Sequence, residues 1–256
     1  MTDDILFEVD GPIATLTLNR PAKLNAVTPR MAARIEEAIA DVNASETIRV
    51  LIFTGAGERA FCAGSDITTL DAYETPWQFR NRSDYCDAVR GLAKPSIAAV
   101  NGYAFGGGLE TAMSCDIRIA SDNARFAAPE IKLGWIGGGG MAAHLFNSIG
   151  ASNAALMLMT GDPIDAAKAE HWGLVSEVVA QPDLMARARE IATAIAARAP
   201  IAAETAKANL KAAASMPLDE AIRYERDLQT ICFATQDAAE GRAAFREKRQ
   251  PVFHRR

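Results

Sequence analysis

Two acidic residues stand where the chain bends. In AFGGGLETAM (104–113), three consecutive glycines, Gly106 to Gly108, precede Glu110 at the mouth of a helix-forming segment. In RFAAPEIKLG (125–134), Glu130 follows Pro129 directly, in a stretch too short and broken for a core helix. Glycine between strand and helix permits positive φ, lets backbone approach a partner closely, or lets the helix pack tightly. A helix start adds unpaired N–H groups and a positive partial charge. Such a turn can hold negative charge, and where the charge develops during a reaction it is an oxyanion hole. The plainer readings are a tight turn without ligand and, for Glu130 alone, a solvated surface carboxylate. The residues by themselves leave both pairs of readings open.

A second glycine-bearing loop, GAGERAFCAGSD (55–66), follows the apolar run RVLIFT. GAGERA superficially fits the dinucleotide pattern G-x-G-x-x-A. That pattern needs a helix to open at the glycines and an acidic residue after the next strand to hold a ribose. Here Phe61 to Asp66 read as further loop and no such acid follows, so a nicotinamide-dependent reductase stands only as the alternative from another class. A third glycine run, Gly137 to Gly140, opens the apolar helix MAAHLFNSIG. No GxxxxGK[ST] phosphate loop occurs.

The other reactive side chains read blandly. Cys62, Cys86, Cys115 and Cys232 form no CxxC, and with three scattered histidines they give no metal-site spacing. Reduced, mostly buried thiols are expected. His144 reads as packed within its helix, His171 as ending a helix before a glycine, and His254 as part of the tail. No Ser-His-Asp spacing points to a nucleophilic hydrolase. Asp116 is expected to cap or position a strand, Thr160 and Asp162 to shape a turn, and Lys132 to be solvated.

The elements that must carry these residues alternate over the first part of the chain. IATLTLN (13–19) has strand alternation. PRMAARIEEAIADVNA reads as a helix with Thr28 as N-cap and Pro29 at its first position. RVLIFTG (49–55) reads as a strand covered on both faces. A helix is expected over about 76–92, then strands at SIAAV (96–100), DIRIA (116–120) and VSEVV (175–179). Strand-helix-strand order implies right-handed βαβ units. After about residue 183 four alanine-rich segments read as helices, with Pro200 and Pro217 between them. The division is therefore 1–182, an α/β core, and 183–256, a helical region.

With 256 residues, 49% of them apolar, and a net charge of −5, the chain has material for one large core. No apolar run of about 18 residues suggests a membrane span. The acidic N-terminus MTDDILFEVD lacks an apolar signal core, so a cytoplasmic protein is expected. The only basic cluster, REKRQPVFHRR, is too short to argue for nucleic acid.

Taken together, AFCAGSDI, KPSIAAVNGYAFGGGLE, CDIRIAS, FAAPEIKLG, LMLMTGDPIDAAKAEHWGLVSEVV and EGRAAFREKRQPVF resemble the crotonase (enoyl-CoA hydratase/isomerase) superfamily in order over nearly the whole chain. The resemblance implies a spiral of repeated ββα units with a helical C-terminal trimerisation region, assembling as homotrimers or homohexamers. It implies an acyl-CoA thioester as substrate, with no cofactor beyond the coenzyme A that substrate carries, and no metal. The backbone N–H groups of Ser65 and Gly107 would hold the thioester oxygen as it gains charge. Glu110 would act mainly as base toward water and Glu130 mainly as acid at carbon 2. Lys23, Leu24, Ala26, Ala63, Ser65, Asp66 and Ile67 would line the CoA path, with Lys23 either meeting a phosphate or solvated. Phe245 and Lys248 would close over the CoA of this or a neighbouring subunit, unless Phe245 only packs its helix. Trp135 and the Gly137–Gly140 run depart from the family's usual loop, and Trp135 either narrows the acyl pocket or merely packs. The reading is an enoyl-CoA hydratase; a 3-enoyl-CoA isomerase or another acyl-CoA enzyme of the family is the alternative, with a non-catalytic CoA-binding homologue behind it.

Overall fold

The computed structural model describes residues 3–256, less the side chains of 70–72; Met1 and Thr2 of the acidic N-terminal stretch lie outside it. In chain order the elements are β1 (Ile5–Asp10), β2 (Ile13–Leu18), α1 (Pro29–Ala44), β3 (Val50–Gly55), β4 (Ala60–Cys62), α2 (Pro76–Arg80), α3 (Tyr85–Arg90), β5 (Ser96–Val100), β6 (Tyr103–Phe105), α4 (Gly107–Ser114), β7 (Ile117–Ser121) and β8 (Arg125–Ala127). They continue as α5 (Met141–Thr160), β9 (Ile164–Asp165), α6 (Ala166–Trp172), β10 (Glu177–Val179), α7 (Leu184–Ala196), α8 (Pro200–Ala213), α9 (Leu218–Phe233) and α10 (Gln236–Glu247).

The order β-β-α recurs: β3-β4 with α2 and α3, β5-β6 with α4, β7-β8 with α5. The first strand of each of these pairs joins a six-stranded sheet, β1-β2-β3-β5-β7-β10. The second joins a four-stranded sheet, β4-β6-β8-β9. Pairing is parallel except in the β1-β2 hairpin and at β8-β9. The expected spiral of ββα units is therefore present, and its repetition stacks the turns that follow β4, β6 and β8.

The strand β3 shows why its sequence is apolar without alternation. Successive side chains point to opposite faces. Leu51 and Phe53 enter a core shared with Phe61, Leu109 and Phe126. Val50 and Ile52 enter a second cluster, against Leu184, Ala188, Ala192 and Ala196 of α7. Both faces are covered, as the run predicted. Truncating a ring such as Phe53 to alanine would cost about 3–5 kcal/mol.

Helix α1 starts as expected, with the Thr28 hydroxyl accepting from the Met31 N–H, and buries Met31, Ile35, Ala38, Ile39 and Val42 on one stripe. Asp116 positions β5: its Oδ2 accepts from the Ser96 N–H and hydroxyl at 2.8 Å. The buried Lys207 of α8 pairs with the same oxygen at 2.8 Å and so ties the helical region to the sheet. Thr160 and Asp162 do shape a turn, and Lys132 pairs with Asp162 rather than being only solvated.

Two expectations need correction. The single helix over about 76–92 is two short ones, because the Asp84 side chain accepts from the Cys86 N–H and starts a new helix. The loop at 55–66 is not loop throughout, since β4 lies inside it. No helix opens at GAGERA: Asn25 and Asn101 donate to the carbonyls of Ala56, Ala60, Gly55 and Gly57 and pin the segment as a turn into β4. A dinucleotide fingerprint would need those groups at a helix start, so the reductase alternative has lost its motif. No helix among the described residues is long and apolar enough to cross a membrane.

Candidate active site

The stacked turns meet around a cavity of about 150 Å³. The loop after β4 supplies Ala63, Gly64, Ser65 and Ile67, and the turn into α4 supplies Gly106, Gly107 and Glu110. Pro129 and Glu130 come from a 3-10 turn at Pro129–Leu133, and Trp135 to Gly138 from the loop before α5. Phe79, Arg82, Asp84 and Tyr85 close the remaining side.

The glycines are explained by close approach. Gly106 has φ +54°, in the left-handed region that favours glycine. A Cβ on Gly108 would lie 2.0 Å from the Cys62 carbonyl oxygen, so only glycine lets α4 rest on β4. Nearby, a Cβ on Gly64 would stand 3.1 Å from the Gly107 nitrogen, which places the two bends in contact. Gly107 is the first residue of α4, and its N–H has no partner within the helix. Among the described residues, neither the Ser65 N–H nor the Gly107 N–H meets a protein acceptor. Two unused amides thus sit on adjoining bends at the wall of one cavity.

Glu110 is only 5% exposed. One carboxylate oxygen accepts from the Gly139 N–H at 2.7 Å and the Met141 N–H at 3.1 Å. Burial pushes the carboxyl up to about 7; the two amides hold it back, and the charges of Glu130 and Asp84 add to the rise. The glycine run before α5 makes room for this contact, since a Cβ on Gly137 would fall 2.7 Å from the same oxygen.

Glu130 differs. Its Oε2 is buried and has no hydrogen-bond partner. Burial raises this carboxyl above its ordinary value. Its other oxygen lies 2.7 Å from where a Cβ on Gly106 would be, so Glu130 covers the turn that leads to Glu110. A buried, unpartnered carboxylate oxygen is costly unless it is protonated or meets a ligand.

Of the residues singled out from sequence, Ala63, Ser65, Ile67, Gly107, Glu110, Glu130 and Trp135 all line this cavity. Lys23, Leu24, Ala26 and Asp66 do not, but they run alongside: the Ala63 N–H donates to Leu24, and Asp66 N–H to Val27. Asp66 pairs with Arg20 at 3.2 Å, and hydrogen bonding from Thr68, then Arg20, holds its carboxyl below the usual range. Phe245 and Lys248 are not among the residues lining the cavity. Phe245 is 87% exposed, which removes the reading that it packs its own helix, and Lys248 ends α10 in the left-handed conformation. His144, expected to be packed, is half-buried, and burial lowers its imidazole below the ordinary value.

Sequence reasoning missed Tyr85, Arg82 and the Gly139 and Met141 amides. Tyr85 follows the Asp84 cap, and Ser83-Asp84 was a readable helix start. The two amides carry no side-chain signal at all.

A profile of the enoyl-CoA hydratase/isomerase family matches residues 8–256. The chain belongs to that family. It is 42% identical to a probable enoyl-CoA hydratase, echA8, of Mycobacterium tuberculosis, over 99% of both chains. It is 37% identical to a short-chain-enoyl-CoA hydratase of Clostridium acetobutylicum, over 97% of this chain and 96% of that one. Its fold matches the crystal structure of an enoyl-CoA hydratase from Bacillus anthracis at a TM-score of 0.94 and 33% identity, covering 99% and 100% of the two chains. As a member of the enoyl-CoA hydratase/isomerase family the protein is an enzyme of hydratase/isomerase type, and its ββα spiral is the crotonase fold.

Proposed function

We propose that this enzyme adds water across the double bond of a 2-enoyl-CoA to give a 3-hydroxyacyl-CoA. The observation that carries the reading is the pairing of a buried glutamate, Glu110, and a half-buried one with a buried oxygen, Glu130, with two unused backbone amides around one cavity. The Ser65 and Gly107 N–H groups hold the thioester oxygen, and losing one such donor costs about 2.7–4 kcal/mol of transition-state stabilisation. Glu110, fixed by two amides and with its carboxyl up at about 7, is ionised often enough near neutrality to take a proton from water. The water oxygen bonds to carbon 3 as the π pair moves into the thioester. Glu130, raised by burial, then gives its proton to carbon 2. Atoms balance as one water added, and the proton gained by Glu110 replaces the one lost by Glu130.

In this reading the CoA runs along Lys23, Leu24, Ala26 and the Ala63–Ile67 loop, and it enters only as part of the substrate. Residues 1–182 carry the site and 183–256 assemble copies into a homotrimer or homohexamer, with α7 also covering the sheet. The exposure of Leu218, Ile231, Phe233 and Phe245 on α9 and α10 supports a covered face there, and Phe245 and Lys248 would reach a neighbour's CoA. Four unpaired cysteines support a reducing, cytoplasmic compartment.

The test offers 2-enoyl-CoA and 3-enoyl-CoA side by side in plain buffer. Hydration bleaches the conjugated thioester band of the first. New absorbance from the second, with the first untouched, would make the enzyme an isomerase instead.

A further inference from the structure

Tyr85 is the buried group at the site to which the proposed chemistry gives no role. It is 6% exposed, and its hydroxyl lies 2.3 Å from where a Cβ on Gly107 would stand, with Gly64 Cα 3.5 Å from the same point. The phenol oxygen therefore sits between the two bends that carry the free amides. Among the described residues its one hydrogen-bond partner is the Ser65 hydroxyl, at 3.3 Å. Both residues line the cavity that holds Glu110 and Glu130, and both also line an adjoining cavity of about 310 Å³ beneath α1.

We infer that the Tyr85 hydroxyl is a third hydrogen-bond donor to the substrate oxygen held by the Ser65 and Gly107 amides, seated there by the Ser65 side chain. The chemistry follows from the inventory of the two groups. Each hydroxyl has one proton to give. When Ser65 donates to the phenol oxygen, the phenolic proton is free to point into the cavity. Burial holds the phenol well above its ordinary pKa, so it stays protonated and can only donate toward a developing anion. A hydrogen bond to a charged acceptor in a dry site is stronger than one between neutral groups. Tyr85 thus acts as a catalytic residue and Ser65, beyond its amide, as a positioning residue. A side chain on Gly107 would displace the phenol, so glycine there serves Tyr85 as well as the helix start.

The inference rests on the hydratase reading for its effect on rate but not for its effect on binding. The probe is therefore a dimethylaminocinnamoyl thioester of CoA, whose absorption moves to the red when its carbonyl is polarised. Bound to the unaltered enzyme it should shift strongly. Tyr85→Phe should keep most of the binding, lose a large part of the shift, and lower kcat on 2-enoyl-CoA roughly tenfold to hundredfold with little change in KM. Ser65→Ala, which retains the backbone N–H, should give a smaller loss of shift, and the double variant should be no worse than Tyr85→Phe. An unchanged shift in Tyr85→Phe overturns the inference even if its melting temperature falls, because packing alone would move only stability. Should Tyr85→Phe fail to fold, a full shift in Ser65→Ala overturns the arrangement. A wild-type enzyme that shifts the probe but leaves 2-enoyl-CoA intact would sink the hydratase reading and leave the donor role standing.

Discussion

The turn into α4 and the 3-10 turn at Pro129–Leu133 each deliver one glutamate to the same cavity, and they hold it in unlike ways. Glu110 is clamped by the amides of Gly139 and Met141, some thirty residues further along the chain. Glu130 has a buried oxygen with no partner. Burial lifts both carboxyls, so desolvation alone does not distinguish them. Hydrogen bonding does: two amides from a distant loop fix the Glu110 carboxylate, whereas Glu130 keeps one buried oxygen unpartnered among the described residues. That is the division of labour expected of a base that orients water and an acid that delivers a proton.

The largest effect that could break this comparison comes from the amide variants. Glu110→Gln and Glu130→Gln should each lower kcat/KM by about 10²–10⁴, and the double variant should fall far less than the product of the two. A single variant with normal kcat/KM removes that residue from the mechanism. Next, Gly106→Ala sharpens the contrast from the Glu130 side. Its Cβ would fall against the Glu130 carboxylate at a positive φ, and displacing that carboxylate should cost on the order of 10² in kcat. Steady-state kinetics would read this, and an unaltered kcat would mean that Glu130 need not stand where it does.

A third prediction concerns stability. With its carboxyl up at about 7 in the folded state, above the ordinary 4.5, Glu110 is tolerated best when protonated. Its burial adds no penalty below about pH 4.5, and the cost grows between about pH 4.5 and 7 and is fully present above that. Glu110→Gln should therefore be more stable than the parent at pH 8, by roughly 1–3 kcal/mol, and equal to it near pH 4.5. Urea unfolding at the two pH values checks this, and a parent that is the more stable at pH 8 would contradict the buried-acid picture. The smallest effect is on the pH profile. If Glu110 must be ionised to take a proton, kcat/KM should fall as pH drops through about 7. A profile flat from pH 5.5 to 8 would show that Glu110 does not act as the base.

Much of this was readable from residues alone, for physical reasons that can be named. The run at 50–55 announces a doubly covered strand because both of its faces are apolar. Thr28 and Pro29 announce α1 because a cap and a first-position proline act locally. The break between α2 and α3 was missed because the Ser83-Asp84 start signal was passed over, and the Asp84 carboxylate decides the break by capping α3. The strand β4 was missed within the 55–66 loop because it is only three residues long, while the side chains that pin GAGERA as a turn into it, Asn25 and Asn101, lie far off in sequence. Within the site, the glycine turn and Glu110 showed themselves as local chemistry, whereas Glu130 gained meaning only through the family resemblance. The Gly139 and Met141 amides and the Tyr85 hydroxyl could not be read, because their role depends on contacts made only once the turns stack.

The most direct test of the central claim follows atoms rather than rates. A four-carbon 2-enoyl-CoA is incubated with the enzyme in heavy-oxygen deuterated water, and the product is examined by mass spectrometry and NMR. The account predicts one heavy oxygen at carbon 3 and one deuterium at carbon 2, with both lost at equal times in Glu110→Gln and Glu130→Gln. Substrate returned without heavy oxygen, or variants that label as fast as the parent, would contradict it.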